Sequence, residues 1–92
     1  MSGLERVDMS SHPVDSEAHK HAFAPCPPGK KVVGGGAQVF IANDPTPDAP
    51  IGIMTSFPSK ELDGWAASAQ EMVDTDVNWF VTAYALCANV AP

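Results

Sequence analysis

The chain has 92 residues, 45% of them hydrophobic and 17% charged, which is the composition of one folded domain and not of a disordered tail. Eleven acids against five Lys/Arg give a formal charge of −6. A nucleic-acid backbone or an anionic membrane surface repels that balance, and no apolar run approaches the ~20 residues of a membrane-spanning helix. The N-terminal stretch Leu4-Glu5-Arg6-Val7-Asp8 carries charges where a signal peptide has its apolar run, so no targeting segment is predicted there. Residues 4–9 alternate loosely and predict a first strand, ended by a turn at Ser10-Ser11-His12-Pro13.

From Glu17 to Ala24 the period is again two. Glu17, His19, His21 and Phe23 share one face of the predicted strand, and Ala18, Lys20, Ala22 and Ala24 share the other. Pro25-Cys26-Pro27-Pro28-Gly29 stops it, because proline donates no ladder hydrogen bond and Pro-Gly marks a tight turn. Lys31 to Ile41 reads as a strand interrupted by Gly34, Gly35 and Gly36. Glycines inside a strand mark a bulge or the close approach of another group, and Trp65 or Trp79 lying over this backbone is the expected neighbour. Asn43 to Pro50 holds three prolines in eight residues and predicts an exposed loop. Ile51 to Phe57 is a fourth strand and Ser59 to Gly64 a polar turn.

Trp65 to Met72 is rich enough in alanine for a helix, but the leading tryptophan and the Pro/Gly-punctuated surroundings favour a fifth strand. A turn over Val73 to Asn78 leads to the last strand, Trp79 to Ala88. Its two faces are Trp79, Val81, Ala83, Ala85, Cys87 and Phe80, Thr82, Tyr84, Leu86, Ala88. Both are largely apolar, which places the strand at a sheet centre or puts another subunit over one face. Six short strands, nine prolines, seven glycines and no internal repeat predict an all-β fold: a small antiparallel sandwich, barrel or prism, as a single domain over residues 1–92 with its core between about 4 and 90.

No CxxC pairing and no neighbouring histidine makes a zinc site of Cys26 and Cys87. Two readings stand. One is a disulfide between them tying both ends of the core, which stabilises by about 4 kcal/mol in the chain-entropy treatment. The other is a pair of buried thiols acting as small apolar side chains. A disulfide would imply an oxidising location: extracellular, cell-surface or virion.

Cys26-Pro27-Pro28-Gly29-Lys30-Lys31-Val32-Val33-Gly34-Gly35-Gly36-Ala37 resembles the C-P-x-G-K-x-V-x-G-G-G-A opening of a small β module of bacterial and phage surface proteins. The turn Thr55-Ser56-Phe57-Pro58, the segment Gly64-Trp65-Ala66-Ala67-Ser68-Ala69 and the closing Trp79 to Ala88 extend the resemblance over about Val7 to Ala88. It implies a β module without assigned enzymatic activity, in proteins that also carry collagen-like or phage-tail-like regions, and self-association as a homo-oligomer.

Three chemistries deserve weighing. Trp65, Trp79, Tyr84 and Phe57 could stack on a sugar ring beside the polar Asp63, Gln70 and Asn78, since an aromatic face takes the apolar side of a sugar while amides and carboxylates bond its hydroxyls. The competing role for both tryptophans is core packing. Glu17, His19 and His21 project from one strand face and could hold a metal, and Asp74 and Asp76 form the best local carboxylate pair for calcium; no EF-hand loop is present, and a polar edge strand and turn-favouring aspartates explain the same residues. Lys30 and Lys31 precede their glycines, the reverse of a phosphate-binding loop, and no G-x-S-x-G or comparable nucleophile motif occurs. The sequence thus predicts a non-enzymatic recognition or adhesion module that takes a cell-surface glycan or protein. The alternative is a structural or oligomerisation module of a larger surface or phage-tail assembly.

Overall fold

The structure is a computed structural model and describes residues 2–11, 17–41, 51–72 and 78–89. The Pro-rich segment 43–50 and most of the turn before the last strand lie outside the described residues, as do His12, Asp74 and Asp76. Six strands form: β1 (Ser2–Ser10), β2 (His19–Pro25), β3 (Lys31–Ile41), β4 (Ile51–Pro58), β5 (Gly64–Glu71) and β6 (Trp79–Asn89). Each matches a predicted strand to within two residues at either end. The alanine-rich segment is strand, and no helix occurs among the described residues. Ala67 and Ala69 of that segment are buried while Ala66, Ser68 and Gln70 are not, so an alternating face decides the matter against helix propensity.

The strands form two three-stranded antiparallel sheets, sheet A in the order β1-β6-β3 and sheet B in the order β2-β5-β4. β6 lies against β5, β1 against β2 and β3 against β4, which makes the molecule a small sandwich. β6 is the central strand of sheet A, between β1 and β3; on its outer face Thr82 and Ala88 are buried and Phe80, Tyr84 and Leu86 half-buried. Only β4 and β5 are both adjacent in sequence and paired; every other connection crosses between the sheets.

The core is built from small side chains. Ala22, Ala24, Ala67 and Ala69 of sheet B face Ala83, Ala85, Val81 and Cys87 of sheet A, and among the described residues only Trp79, Val81 and Cys87 are large and fully buried. Alanine on both inner faces lets the sheets approach closely and leaves little apolar area per residue to bury. Trp79 fills one end of the gap. Its indole N–H donates to the Glu17 carbonyl at 3.1 Å, and the Lys20 ammonium lies 4.9 Å from the centre of the indole ring and donates to the Trp79 carbonyl at 2.5 Å.

The Cys26–Cys87 disulfide is present, with the two Cα atoms 5.7 Å apart. Cys26 follows β2 of sheet B and Cys87 lies in β6 of sheet A, so the bond joins the sheets across the sandwich. The turn between β4 and β5 packs onto the same end. The Asp63 carbonyl accepts from Cys26 N–H at 2.7 Å and the Leu62 carbonyl accepts from Val32 N–H at 2.8 Å. Leu62 takes a left-handed conformation, φ 61°, to present that carbonyl.

The glycine triplet has both features expected of it. β3 is bulged between Val32 and Gly34, and aromatic rings lie against the next two glycines. A Cβ on Gly35 would stand 2.5 Å from Trp65 Cδ2 on the inner side, and one on Gly36 would collide with the Tyr84 ring on the outer side. Trp65, and not Trp79, is the tryptophan that uses this space.

Candidate functional site

Residues of the expected sugar site are distributed over different surfaces. Trp65 points between the sheets, where its ring packs on Gly35 and its indole N–H donates to Ser56 Oγ at 2.8 Å. It is half-buried with its one donor satisfied. Gln70 is five positions further along β5, on the opposite, outer face of sheet B. Asp63 caps the β4–β5 turn: its carboxylate accepts from the Ser59 hydroxyl, and its own N–H donates to Ser59 Oγ at 2.9 Å. Tyr84 is on the outer face of sheet A, with the Arg6 guanidinium 4.6 Å from its ring centre, and Asn78 is exposed just before β6. The fold does not bring these five side chains together.

His19 and His21 do share the outer face of β2, as the period of two requires, and both are exposed. Glu17 precedes the strand and is engaged through its carbonyl by Trp79. Among the described residues no three His, Cys, Asp or Glu side chains converge as a metal site. Lys30, beside the glycines, pairs with Glu5 and donates to the Gly3 carbonyl at 2.6 Å, which ties the β2–β3 turn to β1. Lys31 reaches the Glu61 carbonyl at 3.3 Å.

What the register does assemble is the outer face of sheet B. Phe23 of β2 and Phe57 of β4 stand opposite the same residue of β5, Ala66, one on each side. Their backbones are therefore two strand spacings apart, about 10 Å. Phe23 rests against Gly64, and the two phenylalanines are 41% and 51% exposed, so both rings present area to solvent. One step along the strands, His21, Ser68 and Thr55 form the next row, with Thr55 and Ser68 hydroxyls 2.6 Å apart; His19, Gln70 and Gly52 form the row after that. These rows contain two aromatic rings, two imidazoles, an amide and two hydroxyls, and no Asp, Glu, Lys or Arg. No pocket opens among the described residues.

Phe23 was legible as a companion of the histidines, and Phe57 as an aromatic able to stack on a sugar. Their meeting across Ala66 was not legible, because it depends on which strands pair. A chain of −6 that keeps three adjacent rows free of Asp, Glu, Lys and Arg has set that surface apart from the rest of its exterior. The chain matches no family model, no curated protein and no solved structure.

Proposed function

We propose that this chain is a non-enzymatic recognition module, displayed outside the cell or on a virion, that binds carbohydrate with the outer face of sheet B. The observation that carries the reading is the pair Phe23 and Phe57 flanking Ala66, beside a strip of hydrogen-bonding side chains that holds no Asp, Glu, Lys or Arg. Two rings on a sheet surface can each stack on the apolar side of a sugar unit, while Gln70, Thr55, Ser68 and the imidazoles exchange hydrogen bonds with its hydroxyls. An inter-sheet disulfide is compatible with the extracellular location, and the resemblance to surface modules points the same way. No cofactor is needed for this chemistry.

A structural or oligomerisation module of a larger surface assembly is the second reading, and a specific observation favours it: Trp65, the residue best suited to stacking on a sugar, is committed to Gly35 and Ser56. A glycan-array screen of the oxidised protein, run with and without calcium, separates the two. Selective binding to a carbohydrate class is the expected result. Absence of any selective signal under both conditions would assign the outer face of sheet B to protein contacts and favour the structural reading.

A further inference from the structure

Phe23 of β2, Ala66 of β5 and Phe57 of β4 form one row across sheet B, running from one edge strand to the other. The order is aromatic, small, aromatic. Phe23 lies against Gly64, where a Cβ would stand 2.8 Å from the ring's Cε1, so a glycine at that position lets the ring settle toward β5. Ala66 carries only a methyl group between the two larger side chains. Sheet A treats its exposed aromatics differently. Phe40 and Phe80 are register partners on neighbouring strands and stack on each other, with ring centres 5.0 Å apart. Phe23 and Phe57 stand on strands separated by a third, which makes two aromatic stations in place of one stacked pair.

We infer that the ligand of this face is a neutral, linear, β-1,4-linked glycan of at least three sugar units, laid across the strands with alternate units on Phe23 and Phe57. The inference rests on the carbohydrate reading above and narrows it to one class. Length is the first argument. A pyranose unit with its linking oxygen is about as long as the ~5 Å spacing between neighbouring strands, so one unit reaches one phenylalanine and three in line reach both. Linkage is the second. Equatorial bonds at both ends of each unit keep the chain extended, and alternate units then turn the same face toward the sheet. Axial bonds curl the chain and carry its ends off the row. The middle unit passes over the Ala66 methyl, where a larger side chain would lift it. Charge is the third. The three rows hold no Lys or Arg to pair with a uronate or sulfate and no Asp or Glu to pair with an amino sugar, and a chain of −6 repels an acidic glycan. The Thr55 and Ser68 hydroxyls lie in the next row, within reach of the hydroxyls along the edge of such a chain.

Titration calorimetry tests it, with oligosaccharides of β-1,4-linked glucose and of β-1,4-linked N-acetylglucosamine from monosaccharide to hexasaccharide, and the α-1,4-linked glucose series for comparison. The expected result is a rise in affinity of about tenfold or more between disaccharide and trisaccharide in a β-linked series. The affinity should be the same at low and high salt, as a ligand without charge requires. Phe23→Ala and Phe57→Ala, each shown by circular dichroism to keep the fold, should bring the trisaccharide down to the affinity of the disaccharide. Binding with no step at the trisaccharide, equal binding of the α-linked series, binding that salt weakens, or a step that survives both truncations overturns the inference and leaves carbohydrate recognition standing. Absence of binding in every series overturns it as well, and the glycan array then decides separately whether another carbohydrate is bound or none.

Discussion

Gly35 shows how one side chain of zero size sets the position of a much larger one. Removing the Cβ lets the Trp65 ring lie on the β3 backbone, and Ser56 then completes the site by accepting the indole N–H. Gly35→Ala would force the methyl against both Trp65 Cδ2 and the Tyr84 carbonyl, each 2.5 Å away. Overpacking of this kind costs about 1–3 kcal/mol, and a urea unfolding curve should show the lower midpoint at unchanged slope. Trp79 is a second residue on which much depends, because it is the largest of the fully buried side chains in a core filled mostly by alanine. Trp79→Ala should cost about 3–5 kcal/mol, read as a lower midpoint in the same measurement. The sequence marked both tryptophans as candidates for packing over the triplet. It could not say which, since Trp65 reaches Gly35 only because β4, β5 and β3 meet at one side of the sandwich.

At the scale of elements, a period of two marked β2, whose burial alternates along the strand, while β3, β4 and β5 were legible from their composition and the Pro/Gly-rich turns that bound them. Lys20 illustrates how strict that period is: it lies on the buried face with Ala22 and Ala24, and its ammonium finds the Trp79 ring and carbonyl. The cysteines left two readings open, and the disulfide is the one realised. It spans 61 residues and joins two sheets whose facing side chains are mostly alanine, so it replaces cohesion that a larger core would supply. Reduction should lower stability by about 4 kcal/mol, read as the difference between unfolding curves with and without reductant. A reduced protein as stable as the oxidised one would show that the thin core suffices alone.

At the scale of the molecule, the pairing of strands was not legible. β1 pairs with β6 from the far end of the chain, and chain order alternates between sheets except at the β4–β5 hairpin. Hydrophobic alternation says which way a side chain points but not which strand lies beside it, so the outer face of sheet B, assembled from β2, β4 and β5, emerges only with the register. For the same reason the residues first grouped as a sugar site, Trp65, Asp63, Gln70, Asn78 and Tyr84, separate onto an inner face, a turn, two outer faces and a strand end.

The most direct test of the central claim compares three truncations on the glycan array: Phe57→Ala and Phe23→Ala on the outer face of sheet B, and Tyr84→Ala on the outer face of sheet A. Circular dichroism of each variant establishes that it retains the β fold. The expected result is loss of the glycan signal in both phenylalanine variants and its retention in Tyr84→Ala. Retention of the signal in the folded Phe57→Ala and Phe23→Ala proteins, or its loss in Tyr84→Ala alone, would contradict recognition through sheet B.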